Sequence, residues 1–144
     1  MSHLRTRRGH KTWLLVTAIV IGSFGPIFTL GTMESTAEPA RLTLQLLSGP
    51  GHLDREWASD TLRFLSALTG GFLFGWGVSI WALRRWVYDL APEGTRRAVV
   101  AGLVAWCGLD SLGSVLSGTP WNALFNVLVI LLAVGPMWVA ARAD

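Results

Sequence analysis

Cysteine and lysine each occur once in this 144-residue chain, as Cys107 and Lys11. A single thiol excludes an intramolecular disulfide and the paired-cysteine chemistry of membrane thiol oxidases, and it leaves the redox compartment unread. Cys107 sits in an apolar run and reads as a small packing residue. Charge is scarce too: 15% of residues are Asp, Glu, Lys or Arg, against 51% hydrophobic. That balance excludes an ordinary soluble domain and selects an integral membrane protein. The histidines His3, His10 and His52 lie outside the apolar runs, which argues against histidine-ligated haem or metal inside a membrane. There is no glycine-rich nucleotide loop, no HExxH and no serine–histidine pattern. Asp54-x-Glu56 and Asp60 lack standard ligand spacing and read as a solvated face. Neither a cofactor nor a metal is expected.

What is present is apolar sequence in lengths that cross a bilayer, which takes about 20 residues per helix. Four runs qualify, at about 12–33, 61–83, 98–117 and 123–141, and they consume most of a single 144-residue membrane domain. The fold class expected is all-α, a four-span transmembrane helical bundle. The first run, behind the basic segment MSHLRTRRGHK, resembles a secretory signal with a small-residue cleavage site at Ser35-Thr36-Ala37. It is longer than the 7–15-residue core of such signals, which favours retention as a helix. Pro26 beside Gly25 is expected to kink it. The polar connection 34–60 contains the semi-apolar stretch 40–47, too short to span and suited to a short interfacial helix. SGPG at 48–51 ends that helix, and Asp54 or Ser59 caps the next.

The formal charge of +3 is local, which argues against a nucleic-acid partner. With the N-terminus in the cytoplasm, Arg5, Arg7, Arg8, Lys11, Arg84, Arg85, Arg96, Arg97 and Arg142 fall on that side. Arg41, Arg55 and Arg63 fall opposite, beside five carboxylates. This asymmetry predicts both termini inside and the 34–60 connection in the periplasm of a bacterial inner membrane.

One carboxylate, Asp110, lies well inside the third run. A charge at that depth costs about 3 kcal/mol on insertion scales, so it needs a partner or a task. On a helical wheel Gly102, Trp106, Cys107, Asp110, Gly113, Ser114 and Ser117 share one side, read as the helix-contact face. Ala101, Val104, Ala105, Leu112, Val115 and Leu116 share the other, which suits lipid. On the second span Arg63, Ser66, Gly70, Phe74, Gly77 and Trp81 share a face, with Gly71-x-x-x-Gly75 beside it. Gly70, Gly71, Gly75, Gly77 and Gly113 are therefore the expected packing glycines. Asn122 and Asn126 are one turn apart on the fourth span. Arg63, Asp110, Ser114, Asn122 and Asn126 all belong to the outer half of the bundle, and an Asp110–Arg63 ion pair is expected there, as structural glue or as part of a binding or proton site.

GWG at 75–77, Trp106-x-x-x-Asp110-Ser111, Gly118, Asn122-x-x-x-Asn126 and Arg63-Phe64-Leu65-Ser66 resemble a family of small bacterial inner-membrane proteins of unknown function. The resemblance covers roughly residues 55–136, implies four helices and implies no activity. The function expected is non-enzymatic, as an accessory subunit or a binder of a small or lipidic ligand. The alternatives are a proton-coupled carrier acting as an oligomer and an intramembrane enzyme using Asp110. The partners expected are the lipid bilayer and a homo-oligomer or larger membrane complex.

Overall fold

The computed structural model of the protein describes residues 2–49 and 59–141. Asp54, Arg55, Glu56, His52 and Arg142, invoked above, lie outside the described residues. The described residues form five α-helices, α1 (Ser2–Leu30), α2 (Glu38–Ser48), α3 (Asp60–Ala82), α4 (Pro92–Leu116) and α5 (Pro120–Val134), and no strand. Four stretches are long and apolar enough to cross a membrane: Thr6–Leu30, Asp60–Val87, Pro92–Leu116 and Pro120–Trp138. Together they mark a multi-pass membrane protein. Large side chains on their outer surfaces, such as Phe72 (76% exposed) and Leu116 (78%), suit hydrocarbon and would be anomalous in water.

Local chemistry sets the boundaries. Proline occupies the first turn of α2, α4 and α5, where a missing N–H costs no hydrogen bond. Ser59 caps α3, its side chain accepting from the Leu62 N–H at 3.2 Å. Glycines at positive φ end three helical segments: Gly49 after α2, Gly118 after α4 and Gly135 after α5.

Several boundaries differ from expectation. The basic N-terminal segment is helical, so α1 starts at Ser2, and the helix continues through Pro26. Helix α4 starts at Pro92, which takes Arg96 and Arg97 out of a loop and onto its first turns. Helix α5 stops at Val134, and a 3-10 turn at Gly135–Trp138 follows, because Pro136 cannot continue the ladder. Between α3 and α4 the chain widens into a π turn at Leu83–Val87, closed by Tyr88 N–H donating to the Leu83 carbonyl at 2.9 Å. The extra residue swings Tyr88 into the interior, where it is 1% exposed.

Helices α1 and α3 pack antiparallel along a small-residue seam. A Cβ on Gly77 would stand 2.7 Å from the Ala18 carbonyl and the Gly22 backbone. One on Gly70 would stand 2.7 Å from the Gly25 carbonyl. The seam runs through Ser66, Gly70, Gly77 and Ile80 of α3, buried at the three- and four-residue spacing of a left-handed pair. Gly71 and Gly75 are not part of it, contrary to the reading from GxxxG spacing. A Cβ on either meets nothing within 4 Å. Gly71 is rotated about 100° from Gly70, which turns it out of the seam. Gly113 likewise faces open space rather than a helix contact.

At the end carrying the chain termini, all four long helices share one core, built from Leu14, Ala18, Ile80, Val99, Leu103, Val134 and Met137 with Tyr88. At the opposite end the apolar cluster is smaller and belongs to α1 and the α2 region: Phe28, Ala37 and Ala40, with Leu62 and Leu73 of α3 against it. Helix α2 also reaches α5, where Gly49 packs on the Trp121 ring. Helices α3 and α4 meet little, and Trp76 against Trp106, centroids 6.1 Å apart, is the ring contact between them. The part of the α4–α5 pair away from the chain termini is held by polar groups.

Candidate functional site

The turn from α4 to α5 makes the site. Thr119 N–H donates to the Ser114 carbonyl at 2.8 Å and Gly118 N–H to the Val115 carbonyl at 3.1 Å, which folds α5 straight back along α4. That fold sets Asn122 and Asn126 opposite Asp110. Asn122 Nδ2 donates to Asp110 Oδ2 at 2.8 Å and to Ser114 Oγ at 2.8 Å. Asn126 Nδ2 donates to the same Asp110 Oδ2 at 2.7 Å and to Ser111 Oγ at 3.1 Å. Ser114 Oγ in turn donates to the Asp110 backbone carbonyl at 2.7 Å. Asn126 is 3% exposed and Ser114 8%. Buried amides of this kind need partners, and a carboxylate oxygen facing two amide nitrogens satisfies both sides. Cys107 Sγ lies 3.7 Å from the Asn126 carbonyl and completes the packing of the pair.

The two oxygens of Asp110 differ. Oδ2 receives both amide bonds, and no described donor hydrogen-bonds Oδ1. Asp110 is half-buried and lines an open groove of about 460 Å³ with Trp106, Leu109, Gly113, Ser114 and Ser117. Apart from Leu109, these positions fall on the face of α4 that the helical wheel assigned to helix packing. Its polar edge meets α5, and the rest forms the groove.

Arg63 does not join the cluster, which corrects the expected ion pair. Its Nη2 lies 3.6 Å from Asp60 Oδ1, one turn away on α3. Asp110 makes no ion pair with any described residue. The cause is the packing: α3 seats on α1, so its first turn does not face α4. Asp110, Ser114, Asn122 and Asn126 come together as one unit, joined by Ser111. Trp106 and Ser117 as groove walls, and Ser111 as an amide partner, were not singled out from the sequence, although the wheel had grouped Trp106 and Ser117 with Asp110. Among the described residues, no group of three or more His, Cys, Asp or Glu side chains is arranged to hold a metal.

A second polar network lies at the other end. His10, fully buried, donates from Nε2 to the Pro136 carbonyl at 3.0 Å, and its Nδ1 meets Tyr88 Oη at 3.1 Å. Burial pushes the Tyr88 phenol above its usual range. Arg84 Nε donates to the Lys11 carbonyl at 2.7 Å, and Lys11 pairs with Asp89 at 2.7 Å. Glu93 accepts from Arg96 and Arg97 and from the Ala141 N–H at 2.9 Å. Arg96 also donates to the Met137 carbonyl at 2.7 Å. These bonds tie α1, the π turn, α4 and the chain end together. They close this end of the bundle, and the groove described above belongs to the Asp110 face.

No family model, curated protein or solved structure matches this chain. The resemblance drawn from its short motifs accordingly rests on those residues alone, and the function is argued from the geometry.

Proposed function

We propose that this is a multi-pass protein of a bacterial inner membrane, with both termini cytoplasmic and α2 at the periplasmic interface. We further propose that it binds a small or lipidic ligand in the outer half of the bundle and does not catalyse a reaction. The concentration of arginine at one end of the helices supports the orientation. One observation carries the binding reading: Asp110 has one oxygen fixed by two asparagine amides, while the other has no described donor and the residue lines a groove. Fixing one oxygen removes the rotational freedom of the carboxyl group, and a pre-oriented acceptor loses less entropy when a guest arrives. The Trp106 and Leu109 walls of the groove suit an apolar body. A catalytic acid–base site normally needs a second titratable group within reach, and Asp110 is the single titratable residue lining this groove.

Native mass spectrometry of the protein released from its own membrane in mild detergent tests the reading. Wild type should carry an amphiphile adduct. Gly113→Phe should lose it without a change in melting, because a side chain there fills the groove and its Cβ touches nothing. An unoccupied wild type, or an equal adduct on Gly113→Phe, would overturn the proposal.

A further inference from the structure

We infer that the guest of this groove is a lipophilic organic cation. The inference rests on the reading of the groove as a ligand site and adds the charge of what enters it. Asp110 is the single charged residue lining the groove, and no described cation pairs with it: Arg63 is at Asp60, Lys11 at Asp89, and Arg96 and Arg97 at Glu93. Two amide donors offset part of the cost of a carboxylate among apolar helices, and both act on the same oxygen. The remaining oxygen calls for a donor or a positive charge, which no described residue supplies and a guest can.

The wall points the same way. Trp106 is one turn from Asp110 on α4 and lines the same groove, backed by Trp76 at a ring separation of 6.1 Å and an interplanar angle of 59°. Tryptophan is the side chain that attracts cations most strongly through its π face, and the attraction grows as water is excluded. A carboxylate beside an indole recognises an ammonium or phosphonium centre, whereas an anion would be repelled. Leu109, 75% exposed, and Gly113 leave the outer wall low and apolar, so a guest with hydrocarbon substituents can enter from the side. Depth argues for a free cation over a phospholipid headgroup. Asp110 lies six residues before the end of α4, about 9 Å along the axis from that helix end.

Two ions of one shape and opposite charge test this: tetraphenylphosphonium and tetraphenylborate, measured by equilibrium dialysis against the full-length protein in maltoside micelles. The phosphonium should bind wild type and the borate should not. Asp110→Asn should weaken phosphonium binding by about tenfold or more, since an opposite charge is lost in a low-dielectric site. Trp106→Ala should weaken it as well. Phosphatidylethanolamine added to the micelles separates the sources: displacement of the phosphonium makes the natural guest a lipid headgroup amine, and no displacement makes it a free cation. Equal binding of both ions, or undiminished phosphonium binding by Asp110→Asn, overturns the inference. If the native adduct persists in that case, the groove is a site for neutral amphiphiles and the broader proposal stands. If neither ion binds and no adduct is found, both fall. Should Asp110→Asn not fold, the phosphonium–borate comparison on wild type decides alone.

Discussion

Replacing Gly77 with alanine adds one methyl group at the closest approach of α1 and α3. The new Cβ would lie 2.7 Å from the Ala18 carbonyl oxygen and 2.7 Å from the Cα and N of Gly22. All three atoms are backbone, so no side chain can rotate away and the helices must part. Separation would also thin the contacts of Ser66 with the Phe28 carbonyl, 2.7 Å, and of Gly70 with the backbone around Gly25 and Thr29. Overpacking of this kind costs about 1–3 kcal/mol. Gly75→Ala is the matched control: it adds the same methyl on the same helix, with nothing within 4 Å of it. Alanine is intrinsically the better helix former by about 1 kcal/mol, so that variant should be neutral or slightly stabilised. The propensity gain is common to both variants, so they should differ by the overpacking cost alone, about 1–3 kcal/mol. Detergent unfolding followed by circular dichroism measures the difference. Equal stabilities, or a larger loss at Gly75, would refute the seam assignment and restore the Gly71-x-x-x-Gly75 contact.

Three further outcomes follow from the same geometry. Arg63→Gln and Asp110→Asn should have additive effects on stability in a double-mutant cycle, because the two side chains do not pair; a coupling above about 0.5 kcal/mol would contradict this. Glu93→Gln should cost about 1 kcal/mol, modest because the side chain is 28% exposed and water screens its pairs, and protease digestion should show the residues after Trp138 cleaved faster. Unchanged digestion would mean that Glu93 does not hold the chain end. Reporter fusions after Glu93 and after Asp144 should read cytoplasmic, and one after Asp54 periplasmic. A cytoplasmic signal at Asp54 would invert the proposed topology.

Four spans and a short helix ahead of the second could be read from the sequence because each signal is local: run length, flanking arginines, a capping serine. The Asp110–Asn122–Asn126 grouping was legible for a related reason. The tight turn at 117–119 makes α4 and α5 antiparallel neighbours, so positions equally far from the turn must meet. The partner of Arg63 was not legible, since it depends on which helix α3 chooses, and small residues occur on several of its faces. Gly70 and Gly77 differ from Gly71 and Gly75 only by rotation, and α1 selects between them with Ala18, Gly22 and Gly25. The wheel grouped Trp106, Asp110, Gly113, Ser114 and Ser117 correctly but could not tell a contact from a groove, because small and polar residues serve both. His10 was set aside as lying outside the apolar runs. Its burial depends on α1 being helical from Ser2 and on the π turn that brings Tyr88 inward, neither of which leaves a pattern in the hydropathy.

The arrangement at the centre of the account is Asp110 held by two asparagines and not by an arginine. Asn122 and Asn126 are the only asparagines in the chain, which makes the arrangement directly measurable. In a bilayer sample labelled with 13C at aspartate side-chain carboxyls and 15N at asparagine side-chain amides, solid-state NMR dipolar dephasing should mark one aspartate carboxyl strongly, and Asp110→Asn should remove that signal. Parallel labelling of arginine guanidinium nitrogens should leave the same carboxyl unaffected. Dephasing by arginine in place of asparagine would contradict the account.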